Sequence, residues 1–241
     1  SFDQMDSIQA IRKMQVKKAF DDHFNSIRIW ANSGQIIESM SVLREQLHGS
    51  TDWSETDIPR DILLDSDMDA LLGDFLKKFA EIYAYHDVFI LCPKNGHVLY
   101  SLFEGPDLGA NLSQGPLQET GLAHVWKQAM ASGATAVSDF EAYGPSNNMQ
   151  AAFVGHRIVG GDGEVLGVLA FQLSPGFVEA LMNSTKGMGD YNLKGSKDQA
   201  FPFDFNADGQ SDIFLYRPDS NLVGIMRSHG DGSFEQVYYS H

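Results

Sequence analysis

The sequence predicts an α+β fold: a long helical N-terminal segment, then an antiparallel sheet with helices set to one side, then a small all-β unit at the C-terminus. Three observations predict it. Apolar residues recur at helical spacing from about residue 4 to 48, the period switches to that of strands near residue 86, and everything beyond about residue 190 is strand and turn.

The N-terminal stretch places Ile8, Ile11, Val16, Phe20, Phe24, Ile27 and Ala31, then Ile36, Met40, Leu43 and Leu47, on one face. Asn32-Ser33-Gly34 interrupts them, so two helices or one long helix with a break are expected. Arg12, Lys13, Lys17, Asp21, Asp22 and Arg28 form the opposite, solvated face. An acidic, turn-rich connection from Ser50 to Asp69 leads into a helix over roughly 67–85 that buries Leu72, Phe75, Leu76, Phe79 and Tyr83. Asp65, Asp67 and Asp69 are expected to cap that helix and complement its positive end.

Strands are predicted over His86–Cys92 and His97–Leu102, joined through Pro93-Lys94-Asn95-Gly96, whose Asn-Gly pair is a hairpin signal. A polar, Gly-rich loop precedes a helix with Leu122, Val125, Trp126, Ala129 and Met130 on one side. Strands follow at about 134–140, 150–159 and 164–173, the last two turning through Gly160-Gly161-Asp162-Gly163, and a short helix over 175–184 closes the unit. Past Lys186-Gly187-Met188-Gly189-Asp190 come four strands near 200–204, 212–217, 221–227 and 233–239. Two units result, residues 1–189 (with the sheet module over 67–184) and 190–241. A lone four-stranded sheet buries too little on its own, so it must dock on the larger unit, on another copy or on further repeats.

At 241 residues, with 43% hydrophobic and 20% charged, the composition is that of an ordinary folded chain. A net charge of −15 argues against nucleic acid, whose phosphates require Lys and Arg. The single cysteine, Cys92, lies in an apolar strand and reads as a small buried hydrophobe. No run approaches the ~18–20 apolar residues that span a bilayer. The chain opens on Ser1 and reads as a piece of something longer, with membrane segments expected outside it. Gly-x-Ser-x-Gly, a phosphate-cradling Gly loop ending in Lys, and His-Glu-x-x-His are all missing, and the eight histidines show no metal-ligand spacing, so an enzyme is not expected.

The sharpest chemical signal is Asp204-Phe205-Asn206-Ala207-Asp208-Gly209-Gln210-Ser211-Asp212. Oxygen-bearing side chains fall at the first, third, fifth and ninth positions, around a glycine that permits a sharp reversal. Asp204, Asn206, Asp208 and Asp212 would give side-chain oxygens to Ca2+, and Gln210 its backbone carbonyl. The other reading is an Asx-rich hairpin turn without metal. Leu215 stands where an EF-hand needs Glu, and the flanks read as strands. The segment resembles the calcium turn of an FG-GAP/VCBS repeat, a four-stranded propeller blade.

The first 190 residues resemble the extracytoplasmic Cache sensor domain, a PAS-like module of methyl-accepting chemotaxis receptors and sensor kinases. The likeness is carried by Ile8-Gln9-Ala10-Ile11-Arg12-Lys13, Asp87-Val88-Phe89-Ile90-Leu91, Gly96-His97-Val98-Leu99-Tyr100-Ser101, Asp107-Leu108-Gly109-Ala110-Asn111-Leu112, Asp139-Phe140-Glu141-Ala142-Tyr143-Gly144-Pro145-Ser146 and Gly163-Glu164-Val165-Leu166-Gly167-Val168-Leu169-Ala170-Phe171-Gln172-Leu173. Two-module members continue into a membrane-proximal module where this chain departs into Tyr191-Asn192-Leu193-Lys194. The resemblance implies a periplasmic or extracellular, non-enzymatic domain of a bacterial inner-membrane receptor that binds a small molecule in its sheet. Tyr100, Trp126, Asp139, Tyr143, Phe153, His156 and Arg157 lie on the elements that family pockets use. Asp139 would hold an amine and Arg157 a carboxylate, with a mutual or surface ion pair an equal reading of both, while core packing is the plainer reading of Trp126 and Phe153. A calcium-dependent adhesion or carbohydrate-binding protein is the competing reading, with Tyr216, Tyr238 and Tyr239 as its aromatics. The apolar helix and lone sheet also leave surface for association, such as a homodimer.

Overall fold

The computed structural model describes residues 20–21, 24–47, 56–66, 68–177, 199–203, 212–217, 222–229 and 233–239. Residues 24–31 are helical, and helix α1 (Gly34–Leu47) comes after the expected break. Ser33 makes that break. Its N–H donates to the Trp30 carbonyl, and its Oγ accepts the Ile36 N–H at 3.4 Å, opening the next helix. The expected continuation toward residue 4 lies outside the described residues, as does most of the helix expected over 175–184.

The acidic connection contains a helix that the sequence pattern does not suggest, α2 (Arg60–Leu64), which ends at Asp65. Asp65 therefore closes one helix instead of opening the next. A wide π-helical turn (Asp69–Gly73) then runs into α3 (Asp74–Tyr83), with no side-chain cap at its start. Ala84 stops α3 in the left-handed region (φ 56°), a conformation usually left to glycine.

The central sheet comprises β1 (Tyr85–Leu91), β2 (Val98–Ser101), β3 (Ala136–Val137), β4 (Glu141–Tyr143), β5 (Met149–Val159) and β6 (Val165–Leu173). Its order is β2-β1-β6-β5-β3, with β4 paired to the outer part of β5, and every described pairing is antiparallel. Helix α4 (Gly121–Ser132) precedes β3; its Thr120 side chain accepts the Ala123 N–H. The strand expected over 134–140 shortens to two residues, and β4 is an additional strand.

Strand alternation sorts the core into two layers. Val88, Ile90, Ala152, Val154, Leu169 and Phe171 face the N-terminal helices and α3, meeting Ile27, Ile36, Met40, Leu76 and Phe79. Phe89, Leu91, Ala151, Phe153, Val168 and Ala170 face the other way, meeting Leu122, Val125, Trp126 and Ala129 of α4. Helices thus cover both faces of the sheet, not one, because β1, β5 and β6 are apolar on both sides and each face needs a cover.

The four C-terminal strands are β7 (Gln199–Phe203), β8 (Asp212–Arg217), β9 (Leu222–Ser228) and β10 (Phe234–Tyr239), a meander in the order β10-β9-β8-β7. Pro202 lies in β7, an edge strand, where a missing N–H is tolerated. Residues 204–211 fall outside the described residues.

Candidate functional site

Where β3 and β4 leave the edge of the sheet, they and the start of α4 enclose a cleft of about 330 Å3. Its walls carry Glu119, His124 and Gln128 from α4 and the turn before it, Thr135, Ser138, Asp139 and Glu141 from the β3–β4 segment, and Arg227 from β9. Gly121 forms part of the wall. A Cβ there would sit 2.7 Å from Ser138 Oγ and 3.1 Å from Phe153 Cδ2, so the helix start approaches the strands this closely only as glycine. The Gly121 N–H donates to the Glu141 carboxylate, placing a negative charge at the positive end of α4.

Charge of both signs meets in this cleft. Arg227 lies 3.7 Å from Asp139 and 2.7 Å from Glu235, with roughly a quarter of its side chain exposed. Burial works against its charge, but Glu235, Asp139 and Glu141 together hold its pKa above the ordinary arginine value. The C-terminal sheet therefore contributes a guanidinium to a cleft otherwise built from the larger unit.

Behind the cleft wall lies an aromatic layer and then a buried acid pair. Phe153 is edge-on to Tyr143 (4.8 Å, 70°), and both are fully buried. The Tyr143 hydroxyl donates to Asp107 Oδ2 at 2.7 Å. Asp87, on β1, accepts from the Val88 N–H (2.7 Å), the Ser101 hydroxyl (2.9 Å) and the Phe103 N–H (3.4 Å). Its cross-strand partner Gln172 donates to Ser146 Oγ at 3.0 Å. Burial pushes Asp87 up to about 6, opposed by its donors, and raises Asp107 against the pull of Tyr143, its own amide and Arg60. Burial and the Asp107 charge raise Tyr143 well above the ordinary phenol range.

The residues singled out from the sequence do not gather in one place. Asp139 lines the cleft, and Phe153 and Tyr143 stand behind it. Trp126 is on the same face but packs in the core, its indole N–H donating to the Cys92 carbonyl at 3.0 Å. Arg157 turns to the end of α4, donating to the Ala129 and Met130 carbonyls, where a cation suits the helix C-terminus. Tyr100 and His156 are on the opposite face. The Tyr100 hydroxyl is 3.5 Å from Asp69 Oδ1; His156 Nδ1 is 3.1 Å from Thr135 Oγ1, and burial lowers its pKa. Of the expected calcium ligands, Asp204, Asn206, Asp208 and Gln210 lie outside the described residues, and Asp212 is known as the first residue of β8. Among the described residues no group of three or more His, Cys, Asp or Glu side chains is placed to hold a metal ion.

Cys92 is more than a buried hydrophobe. Its sulfur accepts from the Asn95 N–H (3.4 Å) and the His97 N–H (3.3 Å), and lies 3.6 Å from His97 Nδ1. His97 Nε2 donates to the Thr56 carbonyl at 2.8 Å. Burial raises the thiol pKa, but His97 and the two amides outweigh it and bring it below the ordinary value.

No protein-family model matches the sequence, and no curated protein matches it. Solved structures resemble the fold. The E. coli DcuS sensor domain shares 14% identity at a TM-score of 0.44, over 70% of this chain and 98% of that one. The sensor domain of the V. cholerae histidine kinase DctB shares 12% at 0.39, over 96% of each chain. The ligand-binding domain of the Pseudomonas fluorescens chemoreceptor CtaA, in complex with L-serine, shares 12% at 0.40, over 88% and 89%. With every such score below 0.5, the chemistry of the site has to be read from this chain's own residues.

Most of the cleft lining escaped sequence reasoning. Glu119, His124 and Gln128 carry no motif, Glu141 stands in a segment that carries the resemblance without being singled out, and Arg227 arrives from a separate sheet. Asp87 had a signal, as an acid heading an otherwise apolar strand on the face of Phe89 and Leu91, whereas Asp107 stands in the polar, Gly-rich loop and showed none.

Proposed function

We propose that this chain is the extracytoplasmic small-molecule-sensing domain of a bacterial transmembrane receptor, acting in chemotaxis or related signalling, with its ligand taken in the cleft at the start of α4. The supporting observation is that cleft itself. It is a hollow at the edge of an antiparallel sheet clad by helices, into which Asp139, Glu141 and Glu119 project against the Arg227 guanidinium. Carboxylates facing one cation suit a ligand with an amine and, at its other end, an acceptor for Arg227. Among the described residues no helix is long and apolar enough to cross a membrane, so anchoring falls to segments outside them.

Thermal-shift screening of amino acids, amines, organic acids and nucleobases tests this reading. A ligand at a hundredfold its Kd adds about 2.7 kcal/mol of native-state stability, and Asp139→Asn removes that gain. A full screen without a stabilising compound, or a hit whose effect survives both Asp139→Asn and Arg227→Gln, overturns the assignment.

For the C-terminal unit we infer a Ca2+-binding accessory sheet with Asp204, Asn206, Asp208, Gln210 and Asp212 as ligands. The oxygen spacing in the sequence supports it, as does the pairing of Phe203 with Asp212, which brings together the two ends of the segment carrying those oxygens.

A further inference from the structure

The acid pair behind the cleft has one oxygen too many. Both oxygens of Asp87 are engaged, Oδ1 by two backbone amides and Oδ2 by Ser101. Asp107 Oδ2 takes the Tyr143 hydroxyl, yet Asp107 Oδ1 is buried and receives no hydrogen bond from any other described residue, the residue's own amide being the one further N–H that acts on the carboxylate. The residue as a whole is 2% exposed. The two acids approach each other around Gly105. Its N–H donates to Ser101 Oγ at 3.2 Å, and a Cβ on it would stand 2.5 Å from Asp107 Oδ1 and 3.8 Å from Ser101 Oγ.

We propose that Asp87 and Asp107 together form a proton-binding site, with the proton settling on Asp107 Oδ1, which makes the domain responsive to mild acidification. A buried acceptor without a donor is costly, and two like charges share this space. A proton on Oδ1 removes the buried charge, and with it the repulsion between the two acids, and breaks none of the hydrogen bonds described above. The surrounding groups favour it. Tyr143 on β4 is a neutral donor. Tyr100 on β2 feels Asp69 from the wide turn, Asp87 and Glu104, all acidic. Among the described residues, Arg60 on α2 is the one cation that acts on Asp107, and its guanidinium is committed to the Gly105 and Glu104 carbonyls.

Burial raises both acids, Asp87 to about 6 from an ordinary value of 3.8. The titration belongs to the pair rather than to either residue. Because the folded pKa lies above the unfolded one, the native state holds more protons between about pH 4 and 6. Stability from this site is therefore present at low pH and is lost as pH rises through about 6. Tyr143, the donor to Asp107, is also the edge-on neighbour of Phe153, so the protonation state bears on the cleft wall. The site stands whether or not the cleft takes a ligand.

The test is a carboxyl-carbon NMR titration of the whole chain with labelled aspartate, from about pH 4 to pH 8, with thermal melts at each pH. In the wild type an aspartate carboxyl titrates with a midpoint near 6. Asp107→Asn removes both the proton-binding carboxyl and the like charge, so the step near 6 disappears, Asp87 titrates alone at lower pH, and the fall of Tm with rising pH flattens. Tyr143→Phe removes the donor that favours ionised Asp107 and moves the step upward, which keeps the test informative should Asp107→Asn fail to fold. The proposal is overturned if every aspartate titrates below about pH 5, or if the step stays in place in the folded variants.

Discussion

Phe153→Ala puts the greatest load on the arrangement behind the cleft. The ring is fully buried, edge-on to Tyr143 at 4.8 Å and 6.1 Å from Phe89. The space it leaves cannot collapse easily, because the strand holding it is pinned. Phe153 N–H donates to Ser138 Oγ, and its carbonyl accepts the Ser138 N–H, each at 2.9 Å. Truncating a buried Phe costs about 3–5 kcal/mol, and the aromatic pair is worth about 0.5–1.5 kcal/mol of it, so the upper half of that range is expected. At about 2–4 °C per kcal/mol for a chain of this size, Tm falls by roughly 8–20 °C. Calorimetry and circular-dichroism melts of the wild type, Phe153→Ala and Phe153→Leu measure it, with Leu expected to recover about half. Phe103→Ala, at a ring 59% exposed, is the surface control and should stay within about 0.5 kcal/mol of wild type. A Phe153→Ala protein melting no lower than the Phe103→Ala control would refute the reasoning.

Other outcomes rest on the same geometry. The Asp139–Arg227 pair is 3.7 Å apart and partly solvated, so a double-mutant cycle with Asp139→Asn and Arg227→Gln should give a coupling of at most about 1 kcal/mol, vanishing in about 1 M salt; a coupling above about 2 kcal/mol would mean a far drier contact. Alkylation of Cys92 should reach half its limiting rate below the pH expected for an ordinary thiol, and His97→Gln should move that point upward; an unchanged profile would show that His97 does not act on the sulfur. Removing divalent ions with EDTA should lower Tm, with Ca2+ restoring it better than Mg2+ and Asp208→Ala abolishing the difference; identical melts under all conditions would exclude the calcium loop.

The sequence made the order of the elements legible, because periodicity and turn residues are local. The helix break at Asn32-Ser33, the Asn-Gly hairpin and all four C-terminal strands appear where the pattern put them. What escaped it is non-local. Helix α2 is five residues long, too short to show a period. Strand β4 exists only through its pairing with β5. The apolar runs of β1, β5 and β6 call for a cover on both faces, but that α4 is the helix taking the second face is set by the path of the chain between β2 and β3. The same division runs through the site. Phe153, Tyr143 and Asp139 were recognisable as aromatic and acidic residues on the right strands. Arg157 was not separable from them, since its commitment to the end of α4 depends on a helix elsewhere in the chain. Arg227 became visible only once two sheets met.

The widened turn at Asp69–Gly73 gives this chain a length allowance. A turn of that kind is what a regular helix becomes when one residue is added and both ends are held. Excising a single residue near Ala70 would let the turn tighten to ordinary pitch while Leu76 and Phe79 kept their stations. The same excision within Asp74–Tyr83 would spin the remainder of α3 by about 100° and carry Phe79 away from Phe171, whose ring is 5.3 Å distant. Insertions and deletions in this part of the molecule are thus absorbed at one point and ruinous a turn later.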